Sequence, residues 1–329
     1  MTESEHPHTG WEDPEPFVHP ALFYRTPEEY LAAVGGFVTS ALNAGEPVLV
    51  AVPGPRLDLL REHLGAEAAS VDHLTLVDMT EFGRNPGRIL AGLRDFADRH
   101  PDRPARIVGE PIWARRSPAE VVEATRHEAL INAAFTGRTA TILCPYDTAE
   151  LPPAVCEDAR RTHPVLWENG AQWASPRYAG PAAVNADCDA LALSPAPADA
   201  RSVVFATGDL GDVRHHADTW AHEAGLDAPR RGDFVLAVAE AAANSIAHGG
   251  GHGTLRLWAD PSSCVAEISD RGRLTDLLAG RRRPTLDSAD GGRGLWMMHQ
   301  LCDLVETRVT SAGLTVRLHM TLPNRPAPR

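Results

Sequence analysis

Two patterns of apolar and polar residues divide the chain. From His19 to about Pro164, short apolar runs alternate with stretches of helical periodicity, and PVLVAVP (47–53), LTLVDMT (74–80) and ARIVGEPIW (105–113) each precede such a stretch. Continuous apolar strands that alternate with helices are typical of a parallel sheet covered on both faces. The first half is therefore predicted to be a layered α/β domain.

The second half has a different order of elements. A strand and two helices come first, and two pairs of strands follow, TLRLWAD with CVAEISD and LVETRVT with LTVRLHMTL. This order predicts one antiparallel sheet with helices packed on one face. Residues 178–200, rich in small residues and proline, are predicted as a linker, and residues 1–18 as a disordered tail. The predicted domains are then residues 19–177 and 201–323.

Composition narrows the function classes. The 329 residues exceed what one compact core usually holds, which favours two domains. The formal net charge of −13 argues against nucleic acid as the main partner, because neutralising phosphates needs surplus cations. All 31 basic residues are arginine, which excludes a lysine-containing phosphate loop and any lysine nucleophile.

Location follows from what the sequence lacks. No apolar run is long enough to cross a bilayer, and the acidic N-terminus differs from a signal peptide. These features predict a cytoplasmic protein without a membrane partner. The five cysteines show no CxxC pairing and are predicted to be reduced thiols.

A polar stripe interrupts the apolar helix VAEAAANSIAHGGG. Glu240, Asn244 and His248 are four residues apart, so their side chains share one helix face. An asparagine oxygen suits Mg²⁺, and a glutamate one turn away can accept a proton from a nucleophile. The stripe alone is equally consistent with polar residues that face solvent.

Two glycine-containing segments follow this helix. AEISDRG ends a strand at Asp270, with Gly272 two residues later, and alone this pattern favours an ordinary turn. DGGRGLWMMHQL places Gly292, Arg293 and Gly294 at the start of a helix, where free N–H groups and the helix dipole favour phosphate.

Taken in order, E-x-x-x-N on a helix, D-x-G ending a strand and G-x-G-L opening a helix resemble the Bergerat-type ATP-binding fold. Gyrase, Hsp90, histidine kinases and anti-sigma serine kinases share this fold, and the resemblance covers about residues 201–323. It implies that Asn244 holds Mg²⁺, that Asp270 binds the adenine amine, and that Gly292 and Gly294 line the phosphates beneath a mobile lid.

The nucleotide site implied by this resemblance comprises Asn244, His248, Asp270, Gly272, Gly292, Arg293, Gly294 and Leu295. The lid corresponds to residues 273–292, and its Arg281–Arg283 cluster is predicted to be a solvated charge run in preference to a phosphate contact. His248, as an imidazolium, is expected to interact favourably with the C-terminal end of the helix dipole. A contact with phosphate is the alternative. Arg273 stands where the family usually has a second glycine, which is a departure in the adenine-side loop.

Glu240, one turn before the asparagine, resembles the general base of the anti-sigma-factor kinases. This implies phosphoryl transfer from ATP to a serine or threonine of an anti-anti-sigma (STAS-type) partner, or capture of a sigma factor. Two alternatives stay open, a switch that binds ATP without consuming it and an orphan histidine kinase. For the second, the local phosphoacceptor candidate is His127, next to Glu128, although a surface histidine on an amphipathic helix is the favoured interpretation. A homodimer is also left open.

Six segments of the first half occur in a specific order: HPALFYRTPEEYL, GEPVLVAVP, GEPIW, RHEALIN, CPYDT and DARRTHP. They resemble the MEDS (methanogen/methylotroph DcmR sensory) domain. The resemblance implies a RecA-like fold without its phosphate loop, and a sensor of small organic compounds. His19, Tyr24, Glu110 and Tyr146 lie at predicted element edges and are candidates for a sensory pocket, although each also has a structural interpretation.

Overall fold

The computed structural model describes residues 17–69, 71–260, 262–284 and 292–322. Most of the predicted disordered tail and the later part of the predicted lid, residues 285–291, lie outside the described residues. Within the described ranges, no helix combines the length and the apolar character that a membrane span requires.

The first domain is built on a sheet whose strands are mostly parallel. In chain order its strands are β1 (Phe17–Val18), β2 (Pro20–Tyr24), β3 (Val48–Val52), β4 (Leu74–Asp78), β5 (Ala105–Gly109), β6 (Ala140–Asp147), β7 (Val165–Glu168) and β8 (Ala171–Ala174). The sheet order is β4-β3-β5-β6-β2-β7-β8, and β1 also pairs with β6. All these pairs are parallel except the terminal β7–β8 hairpin. The predicted parallel α/β architecture is confirmed.

Helices cover both faces of this sheet. They are α1 (Pro27–Tyr30), α2 (Gly36–Asn43), α3 (Gly54–Ala69), α4 (Met79–Phe82), α5 (Pro86–Asp98), α6 (Pro118–Ala134), α7 (Pro153–Thr162) and α8 (Gly180–Ala190). A π-helical turn joins α1 to α2. Apolar residues of α1, α2 and α3 form one core, and those of α4 to α7 form a second core with other strand residues. The sheet therefore separates two apolar cores.

Helix α6 begins where the sequence predicts it. The Ser117 hydroxyl accepts a hydrogen bond from the Glu120 amide at 3.3 Å, and the Glu120 carboxylate accepts one from the Ser117 amide at 2.7 Å. Pro118 occupies the first helical position. This capping box satisfies N–H groups that a helix start leaves open.

The second domain is a two-layer unit. Its strands are β9 (Arg201–Ala206), β10 (His252–Ala259), β11 (Ser263–Asp270), β12 (Leu304–Thr310) and β13 (Gly313–Thr321), and its helices are α9 (Leu210–Ala224), α10 (Ala228–His248) and α11 (Arg293–Leu301). The strands form an antiparallel sheet in the order β12-β13-β11-β10-β9. The three helices pack on it around one apolar core, which contains Phe234, Leu257 and Leu318. The predicted fold of this half is confirmed.

The segment predicted as a linker, residues 178–200, contains helix α8. This helix packs against α6 through Val184 and Cys188. Farther along the segment, the guanidinium groups of Arg308 and Arg317 on the sheet donate hydrogen bonds to its backbone carbonyls at 2.8 and 2.7 Å. The segment therefore contacts both domains, which its linker-like composition did not reveal.

The two domains are in direct contact. Asn85 Nδ2 at the start of α5 donates a hydrogen bond to the backbone carbonyl of His299 at 3.0 Å. The fully buried Glu123 on α6 accepts hydrogen bonds from Arg281 at 3.2 Å and from Arg308 at 2.8 Å. Because both arginines belong to the second domain, their charges are balanced across the domain boundary.

Candidate functional site

A cavity of about 530 Å³ opens between α10, the end of β11 and the start of α11. Its volume is within the range of about 300–1,000 Å³ that small-molecule sites usually have. The predicted nucleotide-binding residues in its lining are Asn244, His248, Asp270, Gly272, Gly292 and Leu295. Three segments that are well separated in the sequence therefore converge on one space, as the sequence pattern predicted.

Glu240 and Asn244 lie directly against the backbone of Gly294. A β-carbon at Gly294 would be 2.9 Å from Glu240 Oε2 and 3.1 Å from Asn244 Nδ2. Glycine therefore permits the start of α11 to approach the polar stripe of α10. The close approach at Gly294 brings together a carboxylate, an amide oxygen that can ligate a metal, and the free N–H groups at the start of α11. These groups fit a Mg²⁺-nucleotide.

Two hydrogen bonds orient the Asp270 carboxylate at the end of β11. Its Oδ2 accepts a hydrogen bond from the Ser245 hydroxyl at 2.5 Å, and its Oδ1 accepts one from the Gly272 amide at 2.6 Å. A β-carbon at Gly249 would be 2.4 Å from the Asp270 carboxyl carbon, so glycine is required there. Each carboxylate oxygen keeps acceptor capacity for an exocyclic amine. Ser245 is not among the residues predicted for the site. The sequence feature that could have indicated it is its position directly after Asn244.

The start of α11 has the conformation that its glycines suggest. Gly292 has a φ of 82°, in the left-handed region that glycine adopts without strain. Arg293 begins the helix and is exposed, and Leu295 is buried. Leu295 packs against Gly280 so closely that a β-carbon there would be 2.5 Å from Leu295 Cγ. Thr307 on β12 also lines the cavity, and no sequence motif points to it.

The described part of the predicted lid, residues 273–284, lies between the domains. Leu278 belongs to the apolar core of the first domain. Leu274, four residues earlier, packs against the core of the second domain. Both of these leucines also line the cavity, so the segment connects the cavity to the first domain.

The burial of Arg281 contradicts the prediction that residues 281–283 form a solvated charge run. Arg281 is 3% exposed, and its guanidinium pairs with Glu123 at 3.2 Å. Burial lowers the pKa of Arg281 to about 10, and the Glu123 carboxylate opposes that decrease. The partner of this arginine, Glu123, lies on α6 of the other domain. A sequence pattern does not reveal a partner so distant along the chain. Arg282 and Arg283 are exposed, as predicted.

The four candidates for a sensory pocket are buried in two groups. Tyr24 belongs to the core on the α1–α3 face, and its hydroxyl donates to Glu110 Oε1 at 3.2 Å. Burial raises the pKa of Glu110 to about 8. Tyr146 belongs to the opposite core, where its ring meets the edge of His163, and His19 lies against the same imidazole. Because the sheet separates the groups, the four side chains do not line one pocket.

His127, the candidate phosphoacceptor, is 1% exposed. Burial lowers its pKa to about 3, so its imidazole is neutral at physiological pH. The prediction of a surface histidine is therefore wrong, because α6 is covered on the face that carries His127. A buried imidazole is also poorly placed to receive a phosphoryl group.

Comparison with protein-family models matches both halves of the chain. Residues 18–164 match the MEDS model, described as MEthanogen/methylotroph, DcmR Sensory domain. Residues 205–320 match the model described as Histidine kinase-like ATPase domain, and a domain of this kind implies nucleotide binding. Comparison with curated proteins gave no match. The first range ends directly before β7, and the second covers most of the antiparallel sheet. The chain therefore consists of a MEDS sensory domain followed by a histidine kinase-like ATPase domain.

Proposed function

We propose that this protein is a sensor-coupled regulatory kinase of the anti-sigma type. In this proposal it binds ATP with Mg²⁺ and phosphorylates a serine or threonine of an anti-anti-sigma (STAS-type) partner, captures a sigma factor, or does both. The observation that carries the proposal is the position of Glu240, one helical turn from Asn244 and beside Gly294. A carboxylate there is suited to act as a general base next to a metal-bound phosphate.

Several of the predicted site residues have a specific role in this proposal. The Asn244 side-chain oxygen holds Mg²⁺, which neutralises phosphate charge when it is bound. Asp270, held by Ser245 and Gly272, accepts a hydrogen bond from the adenine amine. The first backbone N–H groups of α11 contact phosphate oxygens.

The proposed transfer begins when Glu240 accepts the proton of the partner's hydroxyl group. The hydroxyl oxygen forms a bond to the γ-phosphorus of ATP as the bond from that phosphorus to the bridging oxygen breaks. ADP leaves with the electrons of the broken bond, and the partner carries the phosphoryl group. In-line displacement of this kind depends mainly on positioning and on charge stabilisation.

The domain contacts support control of this site by the first domain. Leu278 lines the nucleotide cavity and packs into the core of the MEDS domain, and Arg281 pairs with Glu123. A small organic compound that changes the packing of that core would therefore act on the segment bordering the nucleotide. We propose that this segment transmits the signal.

The test is phosphoryl transfer from γ-labelled ATP by the full chain to a panel of STAS-type domains. We expect acid-stable label on serine or threonine. Glu240→Gln should keep ATP affinity and lower the transfer rate by about 10²–10⁴-fold, the usual contribution of a general base. Glu223→Gln, on the surface of α9, is the matched control and should leave the transfer rate unchanged.

Two outcomes would contradict the kinase proposal. ATP binding without label on any partner would favour the binding switch, in which sigma-factor capture is the whole function. Acid-labile label on a histidine of this chain would favour a histidine kinase. Unchanged transfer by Glu240→Gln would remove the base assignment alone.

A further inference from the structure

Four side chains with metal-ligating atoms meet in the interior of the MEDS domain. His19 lies between β1 and β2, Glu128 lies on α6, Cys144 on β6, and His163 directly after α7. Each is buried to 1% exposure or less. One ligand atom from each lies within 4.8 Å of every other. Parallel strands β2 and β6 are neighbours in the sheet, which brings these distant segments together.

The distances between these atoms match a tetrahedral site. Glu128 Oε2 is 3.3 Å from His19 Nε2, 3.4 Å from His163 Nε2 and 3.4 Å from Cys144 Sγ. His19 Nε2 is 3.4 Å from Cys144 Sγ. Nitrogen, oxygen and sulfur ligands at about 2.0–2.3 Å from zinc define a tetrahedron with edges of about 3.3–3.8 Å. These four distances therefore fit the edges of a zinc tetrahedron, and the remaining ligand pairs lie within 4.8 Å.

Hydrogen bonds orient both imidazoles toward the centre of the cluster. His163 Nδ1 lies 2.9 Å from the backbone carbonyl of Ala159, which requires Nδ1 to carry the hydrogen. His19 Nδ1 lies 3.1 Å from the side-chain oxygen of Asn132, which accepts a hydrogen bond in the same way. These contacts leave the Nε2 lone pair of each ring directed at the cluster. Metal-bound histidines are typically held by such a second hydrogen bond.

Hydrogen bonds within the protein do not fully satisfy the cluster. Among the described residues, Glu128 Oε1 and His163 Nε2 have no hydrogen-bond partner, although both are buried. His163 Nε2 and Glu128 Oε2 lie 3.4 Å apart without the alignment of a hydrogen bond. A buried carboxylate also needs a positive charge nearby. A divalent ion satisfies both requirements, since one carboxylate and one thiolate balance its charge.

We propose that the MEDS domain binds one divalent transition-metal ion of the zinc class through His19, Glu128, Cys144 and His163. The ion replaces the proton of the Cys144 thiol, and this proton passes to solvent. Two nitrogens, one sulfur and one oxygen complete four-coordination, so the site is structural and leaves no position for substrate. It fixes helix α6, which also carries Glu123 at the domain boundary.

Cobalt substitution of the full-length chain tests this assignment. The protein is stripped with a chelator, checked for folding by circular dichroism, and titrated with Co²⁺. We expect saturation at one ion per chain, with thiolate charge-transfer absorption in the near ultraviolet and intense visible bands of tetrahedral Co²⁺. Zinc added afterwards should displace the cobalt.

Two variants locate the site. Cys144→Ala should abolish the charge-transfer band, and His163→Gln should lower metal affinity by at least about tenfold. Cys264→Ala, which removes another buried cysteine from the ATPase domain, is the matched control and should keep both bands. If a variant fails to fold, the wild-type result still decides the question. Folded wild-type protein that binds neither Co²⁺ nor Zn²⁺, or a band that persists in Cys144→Ala, would overturn the proposal.

Discussion

The two domains place their polar side chains in opposite surroundings. In the ATPase domain, Asn244 and Asp270 line an open cavity, and Glu240 lies beside it. In the MEDS domain, His19 and Glu128 face one another in a closed core with no exposed surface. An open site keeps its polar atoms for a ligand, whereas a closed cluster must satisfy them internally or with an ion. Substitutions should therefore affect ligand binding in the ATPase domain and stability in the MEDS domain.

The largest stability effect is expected at Glu123, which pairs with buried arginines at the boundary between the domains. Glu123→Gln removes the carboxylate that pairs with Arg126, Arg281 and Arg308, and leaves three buried guanidinium groups without it. Breaking a buried ion pair on one side costs about 3–5 kcal/mol. Denaturant unfolding should show a decrease of this size. Glu157→Gln, on the exposed surface of α7, is the control, and an equal effect in both variants would contradict this account.

Gly294→Ala should weaken nucleotide binding and leave stability nearly unchanged, which is the opposite of the effect expected for Glu123→Gln. The added β-carbon would lie 2.9 Å from Glu240 Oε2 and 3.1 Å from Asn244 Nδ2, so both functional groups must move. We expect ATP affinity to fall about 10–100-fold, which corresponds to about 1.4–2.8 kcal/mol. Gly211→Ala, a helical position with open space around it, serves as the control. Equal affinities for the two variants would show that Gly294 does not border the nucleotide.

The most gradual expected effect is a pH dependence of stability from Glu110, which is small at each step of pH. Burial raises its folded-state pKa to about 8, against opposing effects of Arg56 and the Tyr24 hydroxyl, and Asp147 adds to the increase. The folded state therefore keeps a proton that the unfolded state releases at lower pH. The free energy of unfolding should fall as pH rises toward about 8, by at most about 1.4 kcal/mol per pH unit.

The Glu110→Gln variant isolates this contribution. Glutamine keeps the shape of the side chain and does not titrate, so the difference in unfolding free energy between wild type and variant should change with pH in the stated direction. Unfolding measured across the neutral range provides the comparison. A constant difference would contradict a raised pKa for this carboxyl group.

The sequence could predict which residues of the second half line the cavity because the signals are local. Glu240 and Asn244 are one turn apart on a single helix, and Asp270 and Gly294 lie in short motifs at element boundaries. Strand pairing in the second half follows from alternation and turn residues, and the observed hairpins confirm it. These features need no knowledge of contacts between distant segments.

The sequence did not predict the contacts that depend on the arrangement of distant elements. Glu128 and Cys144 lie in two separate motifs of the MEDS resemblance, but their proximity depends on the packing of α6 on β6. Arg281 has the pattern of a solvated charge, and only its buried partner Glu123 gives it another role. Tyr24 and Tyr146 look alike in sequence yet lie on opposite faces of one sheet.

Isothermal titration calorimetry with a non-hydrolysable ATP analogue and Mg²⁺ tests the central claim most directly. The account predicts saturable binding of one nucleotide per chain to the folded wild-type protein, and no detectable binding to Asn244→Ala. Asn43→Ala, an exposed position at the end of α2, should bind as the wild type does. An absence of heat with wild-type protein, or equal binding by Asn244→Ala, would contradict a magnesium-nucleotide site in this cavity.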